Sequence, residues 1–182
     1  INKYMDILEE LKLRNVINNI TNEKKLKEFL DKKPGIYLGI DPSFRSIHLG
    51  NYSTLVTLKR LGMAGFKPFI LIGGATGLIG DPSGKKSERV MQEVVVIENN
   101  AKALEKQIKS LIDCQVVNNY DFYKGLNFLV FLREVGKLIN VNYLLEKDII
   151  KTRLDSGISY AEFSYNLIQG YDFLKMYQDH NV

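Results

Sequence analysis

Three groups of polar side chains in this 182-residue chain have the types and spacing of binding chemistry. The first is Asp41-Pro42-Ser43, followed by His48-Leu49-Gly50-Asn51 where a helix is predicted to begin. A helix start offers unpaired N–H groups and the positive end of its dipole to a phosphate. His48 in that first turn would add a donor, and Gly50 would leave the backbone open to a flat base or a ribose. The plainer alternative makes His48 a capping or surface histidine and Gly50 a packing residue. The second group is the glycine-rich run from Gly73 to Arg89, with glycines at 73, 74, 77, 80 and 84. It is not a P-loop: Ile79 stands where the first glycine of that motif belongs, and Lys86 follows Lys85 in place of Ser or Thr. What remains is a conformationally permissive loop with one acid, Asp81, and a cationic cluster of Lys85, Lys86 and Arg89. The amides of such a loop can wrap a small polar ligand while its cations meet a phosphate. The third group is Tyr165, Gln169 and Asp172, whose spacings of four and three put them on one helix face. A phenol, an amide and a carboxylate so arranged can clamp an amino group and a hydroxyl.

The elements that must position these groups follow from periodicity and punctuation. Ile36-Tyr37-Leu38-Gly39-Ile40 and Phe69-Ile70-Leu71-Ile72 are short apolar runs bounded by turn residues, the pattern of buried strands. Between them a helix is predicted from His48 to about Gly62, with Tyr52, Leu55, Val56 and Leu58 as its apolar set and Gly62 and Gly65 as stops. Strand, helix and strand within about forty residues make a βαβ unit, hence a parallel sheet with a right-handed crossover. Val116-Val117 is a candidate third strand. Further helices are predicted over residues 3–14 (with Met5, Ile7, Leu8, Leu11 and Leu13 among charges), after Thr21 (with Leu26, Phe29 and Leu30 at helical spacing), and over 87–111, 125–145 and 159–177. The last of these carries Phe163, Leu167, Phe173 and Leu174 as its apolar run. Three strands fall short of the usual ~5–6 of a sheet, so the fold reads as an incomplete α/β domain.

Composition narrows the classes. With 25 Lys and Arg against 21 Asp and Glu, 45% hydrophobic residues, one cysteine and two histidines, the balance is that of a globular protein. Cys114 alone can make neither an internal disulfide nor a cysteine-based zinc site, and no metal site is expected. No apolar run reaches the ~20 residues of a membrane span, and Ile1 opens no signal peptide, so a cytoplasmic protein is expected, with an organellar copy as the alternative.

Together the three groups resemble bacterial-type tyrosyl-tRNA synthetases, a branch of the class I aminoacyl-tRNA synthetases. The resemblance rests on Tyr37 to Pro42, His48-Leu49-Gly50-Asn51 in place of the HIGH signature, Gly73 to Arg89, Asn119-Tyr120-Asp121, and Phe163-Ser164-Tyr165 through Asp172. It implies an α/β, Rossmann-like parallel sheet of the HIGH-signature nucleotidyl transferase type with a helical insert. It implies a reaction as well: L-tyrosine and ATP, with Mg2+ on its phosphates, give tyrosyl-adenylate, and the tyrosyl group then passes to tRNA(Tyr). On the family's pattern Tyr37 and Asp172 hold the substrate phenol, and Tyr165, Asp81 and Gln169 hold its ammonium group. Asp41 lies at the reacting amino acid and ribose. Ser43 and His48 meet the ATP phosphates, while Gly50, Asn51 and Thr54 line adenine and ribose. Lys85 and Arg89 stabilise departing pyrophosphate. Asn51 replaces the second His of the signature, and Ser43 stands where Thr is common.

The same resemblance makes residues 1–182 the first half of a catalytic domain. The insert at about 120–160 would form a homodimer face, with Phe128, Val130, Phe131, Leu132, Val141, Leu144 and Tyr160 as either its apolar patch or internal core. A KMSKS-like lysine loop and C-terminal tRNA-binding regions are absent, so the chain as given is expected to fall short of full aminoacylation. Two other classes share parts of the pattern. An adenylyltransferase would use the His-x-Gly-Asn helix without the tyrosine-site residues. An RNA-binding relative would need a surface of aromatic and basic residues that does not stand out here.

Overall fold

In the computed structural model, which describes residues 6–81, 91–155 and 157–182, the sheet has three parallel strands in the order β1-β2-β3. These are β1 (Gly35–Ile40), β2 (Lys67–Ile72) and β3 (Gln115–Asn118). Register runs Gly35 to Lys67 through Ile40 to Ile72, and Phe69 to Gln115 through Ile72 to Asn118. The helices are α1 (Ile7–Leu13), α2 (Glu23–Leu30), α3 (Leu49–Met63), α4 (Thr76–Ile79), α5 (Val94–Leu111), α6 (Tyr120–Tyr123), α7 (Phe128–Glu134), α8 (Val141–Leu145), α9 (Asp148–Leu154) and α10 (Tyr160–His180).

Strand alternation sorts two cores. Ile70 and Ile72 of β2 face one side, where Ile40 joins Leu55 and Leu58 of α3 and Ala101, Leu104 and Ile108 of α5. Phe69 and Leu71 face the other, against Met176 of α10 with Tyr37, Val117 and Phe122 around them. Both faces of β2 are covered, which is why its last four residues, Phe69 to Ile72, form an unbroken apolar run.

Several expectations are corrected. The glycine-rich segment is not loop throughout, because Thr76–Ile79 coils into α4 before Gly80 (φ 88°) turns the chain. α5 begins at Val94, and residues 91–93 are not helical; Gln92 Nε2 donates to the Ser43 carbonyl (3.3 Å) there. Residues 87–90, like Lys85, Lys86 and Arg89 as a group, lie outside the described residues. The single helix expected over 125–145 is broken into α7, a 3-10 turn (Gly136–Leu138) and α8. Asn127 and Asn140 start the two helices, accepting from the N–H of Leu129 (2.9 Å) and of Asn142 (2.9 Å). Asparagine side chains compete with the backbone ladder and so favour new helix starts over continuation.

Apolar faces also shift. On α1 only Leu8 and Leu11 are buried and Leu13 is exposed; Met5 lies outside the described residues. On α3 only Leu55 and Leu58 go inward, leaving Tyr52 and Val56 exposed. Phe29 of α2 is exposed. The largest departure is α10, which buries Glu162, Tyr165 and Asp172 while Phe173 and Leu174 remain 57% and 43% exposed. Glu162 is paired in a two-pronged bond with Arg153 of α9 (2.9 and 3.0 Å), and both are almost wholly buried. Ser159 caps the helix by accepting from the Glu162 N–H (3.3 Å), and Asn181, in the left-handed region at φ 54°, ends it.

Candidate active site

The carboxyl ends of all three strands open onto one cleft of about 820 Å3, the place where ligands bind in parallel α/β sheets. β1 delivers Tyr37 and, in the turn after it, Asp41 and Ser43. β2 runs into Gly73 and α4, β3 into Asn119, and α10 closes the side with Tyr165, Gln169 and Asp172.

Two carboxylates organise the cleft. Asp41 accepts from the Thr76 hydroxyl at Oδ1 (2.6 Å) and from the Tyr165 hydroxyl at Oδ2 (3.3 Å). Asp172 accepts from Asn119 Nδ2 at Oδ2 (2.9 Å) and from the Tyr123 hydroxyl at Oδ1 (2.8 Å). Asn119 joins the two systems. Its second amide hydrogen goes to Thr76 Oγ1 (3.2 Å), and its Oδ1 accepts from the Ala75 N–H (2.7 Å). One amide thus bridges α4 and α10, and every donor in the chain from Tyr123 to Tyr165 has an acceptor. Gly73 is required by the same packing, since a Cβ there would overlap both the Asp41 carboxylate and the Thr76 hydroxyl.

Burial pushes Asp172 up from 3.8 to about 6, against the opposing pull of the Asn119 and Tyr123 donors, with the Asp41 charge adding to the rise. The phenols of Tyr37 and Tyr165 are raised by burial first. The Asp172 charge then acts on Tyr37, and Asp41 and Asp81 act on Tyr165. A concave site lined by Asp41, Asp81 and Asp172 favours a cationic group, and its phenols and amides can satisfy polar hydrogens on a ring. Among the described residues no group of three His, Cys, Asp or Glu side chains is arranged to hold a metal ion.

His48 caps α3, its Nδ1 accepting from the Asn51 N–H (3.2 Å), so that Nε2 carries the ring hydrogen. Both residues line the cleft, so the residue that caps α3 also borders the cleft. Gly50 lies beneath the imidazole, where a Cβ would come within 3.0 Å of the ring. Thr54, one turn on, bonds back to the Asn51 carbonyl (2.9 Å). The cleft therefore gathers Tyr37, Asp41, Ser43, His48, Asn51, Asp81, Tyr165, Gln169 and Asp172, and Gly50 and Thr54 sit on α3 outside its lining. Lys85 and Arg89 lie outside the described residues. Sequence reasoning assigned no role to Thr76, Asn119 or Tyr123. Asn119 and Thr76 stand in segments that carry the resemblance, and Asn119 is also a polar residue directly after a strand end; Tyr123 had no such signal.

Comparison with known proteins identifies the family and the fold. The family model for tRNA synthetases class I (W and Y) matches residues 27–182. The chain is 56% identical over 177 residues to a tyrosine–tRNA ligase of Ureaplasma urealyticum serovar 10, covering 97% of this chain and 43% of that protein. Its fold superposes with a TM-score of 0.89 on a C-terminally truncated mitochondrial tyrosyl-tRNA synthetase of Aspergillus nidulans. That pair is 27% identical, over 98% of this chain and 56% of the other. The tyrosyl-tRNA synthetase of Archaeoglobus fulgidus, solved with L-tyrosine, shares the fold at TM-score 0.71 and 19% identity, over 92% of this chain and 52% of its own. The chain thus spans less than half the length of the curated relative and little more than half that of the solved structures. The family match takes in every element from within α2 onwards, and the chain belongs to the class I tRNA synthetases (W and Y).

Proposed function

We propose that this chain is the tyrosine-binding and first ATP-binding part of an enzyme that activates L-tyrosine with ATP and charges tRNA(Tyr). The observation that carries the reading is one cleft lined by the pair Asp172 and Tyr37, near enough for the carboxylate charge to act on the phenol, and by the set Asp41, Tyr165, Gln169 and Asp81. The first pair receives a phenol and the second set an ammonium group. A site whose buried polar groups expect a phenol hydrogen bond rejects phenylalanine strongly, because those groups would go unpaired. The family also includes tryptophan enzymes, and it is this carboxylate–phenol pair that favours tyrosine.

Bound this way, the substrate carboxylate is directed at the α-phosphate of ATP, which arrives with Mg2+ on its phosphates. Ser43 and His48 hold the phosphates at the start of α3, Gly50, Asn51 and Thr54 flank the nucleoside, and Lys85 and Arg89 meet pyrophosphate. No side chain is needed as nucleophile or general base. Rate comes from positioning and from stabilising charge on the phosphorus, as in phosphoryl transfer generally.

Residues 1–182 supply the first half of the nucleotide-binding domain in this reading. The insert at about 120–160 makes a homodimer face: Phe128, Val130, Val141 and Tyr160 are exposed there, and Leu144 is internal. A cytoplasmic location accords with the reading, and no helix among the described residues is long and apolar enough to cross a membrane. The test is ATP–pyrophosphate exchange by the full-length gene product, with L-tyrosine and L-tryptophan supplied separately. Exchange driven by tryptophan alone would overturn the assignment.

A further inference from the structure

Tyr123 stands between two acceptors. Its hydroxyl oxygen is 2.9 Å from the Ile168 carbonyl and 2.8 Å from Asp172 Oδ1, yet a phenol has one hydrogen to give. With Asp172 ionised, the carboxylate takes that hydrogen, because charge-assisted bonds are the stronger. With a proton on Asp172 Oδ1, both contacts are satisfied together: the acid donates to Tyr123 Oη, and Tyr123 donates to the Ile168 carbonyl. Asn119 donates to Oδ2 in either state. The ring is packed edge-on to Phe131 (6.2 Å) and tilted against Tyr171 (5.5 Å), so the change needs only a rotation of the hydroxyl.

We infer that Tyr123 is a positioning residue for Asp172, a two-way hydrogen-bond partner that sets the pH at which the cleft can take up a substrate phenol. The inference rests on the reading of this cleft as a tyrosine site. The titratable groups facing Asp172 are Tyr37 and Asp41 from β1 and the turn after it, Tyr123 from α6, and Tyr165 from α10 itself; all are acids or phenols. An ionised Asp172 accepts the incoming phenol hydrogen as a charge-assisted bond. A protonated one, already donating to Tyr123, offers only weaker lone pairs. Removing the Tyr123 hydroxyl takes a stronger bond from the ionised state than from the neutral one, and so favours the proton.

The experiment is kcat/KM for L-tyrosine in ATP–pyrophosphate exchange by the full-length gene product between pH 5.5 and 8.5, a quantity that reports ionisations of the free enzyme. The wild type is expected to show an acid limb near pH 6. Tyr123→Phe, which keeps the ring and its contacts, should move that limb up by about one pH unit. That lowers kcat/KM about threefold at pH 6.5 and leaves the pH 8.5 plateau within about twofold. Tyr123→Leu, lacking ring and hydroxyl alike, should show the same displacement. An unmoved limb in Tyr123→Phe overturns the inference and leaves the tyrosine site standing, as does a limb moved only in Tyr123→Leu, which would make packing the cause. Absence of tyrosine-dependent exchange by the wild type at every pH overturns the tyrosine reading itself, and the inference with it.

Discussion

Replacing Asp172 by asparagine should exchange recognition for stability. Burial lifts this carboxyl from 3.8 to about 6 in the folded protein. Because the folded-state value lies above the unfolded one, the stability linked to this group is fully present below about pH 4 and is lost as the pH rises through 6. The interval corresponds to about 3 kcal/mol by linkage. Water in the open cleft screens part of it, leaving about 1–2 kcal/mol working against the fold at pH 8. An amide carries no charge to desolvate, and its geometry closes as well. Its oxygen can accept from Asn119 Nδ2 while its NH2 donates to Tyr123 Oη, freeing the Tyr123 hydroxyl for the Ile168 carbonyl. Asp172→Asn is therefore expected to be about 1–2 kcal/mol more stable than wild type at pH 8. The advantage should shrink as the pH falls from 6 towards 4. Urea unfolding followed by far-UV circular dichroism at pH 4.5, 6 and 8 measures it, and tyrosine-dependent exchange should fall in the same variant. A variant less stable than wild type at pH 8, or a difference independent of pH, would refute the reasoning.

Three further outcomes are expected. Tyr165→Phe removes the donor to Asp41 Oδ2 and should raise KM for tyrosine about tenfold, with a smaller change in kcat; an unchanged KM would mean the hydroxyl takes no part. Gly73→Ala should destabilise by about 2 kcal/mol or more, since the added methyl overlaps Asp41 and Thr76, and a melting temperature within a degree of wild type would contradict that packing. Arg153→Met leaves Glu162 buried without its partner and should cost about 3–5 kcal/mol in urea unfolding. The double change Arg153→Met with Glu162→Leu should recover most of that loss, because neither charge is then left alone.

Much of the frame was legible beforehand because its signals are local. Short apolar runs between glycines and prolines marked β1 and β2, and the spacing of Tyr165, Gln169 and Asp172 put them on one helix. The elements misjudged were those where a local pattern met a competing partner. The run expected over 125–145 splits where Asn127 and Asn140 cap new helices. On α10 hydropathy pointed Phe173 and Leu174 inward, whereas the neighbouring elements supply an arginine for Glu162 and two donors for Asp172, so the acids are buried instead. Polar burial depends on a partner, and periodicity carries no record of one.

The sequence by itself determined the parallel α/β arrangement, the family resemblance and the roster of candidate ligand groups, all of which rest on residue type and short spacing. Only the tertiary structure decided which of those groups share a hydrogen-bonded system. Asp41 meets Tyr165 across 124 residues of chain, and Asp172 meets Asn119 across 53. Thr76, Asn119 and Tyr123 became parts of the site through such meetings. A hydrogen bond forms only within a few tenths of an ångström, and approach that close between distant segments is set by how the helices and strands pack.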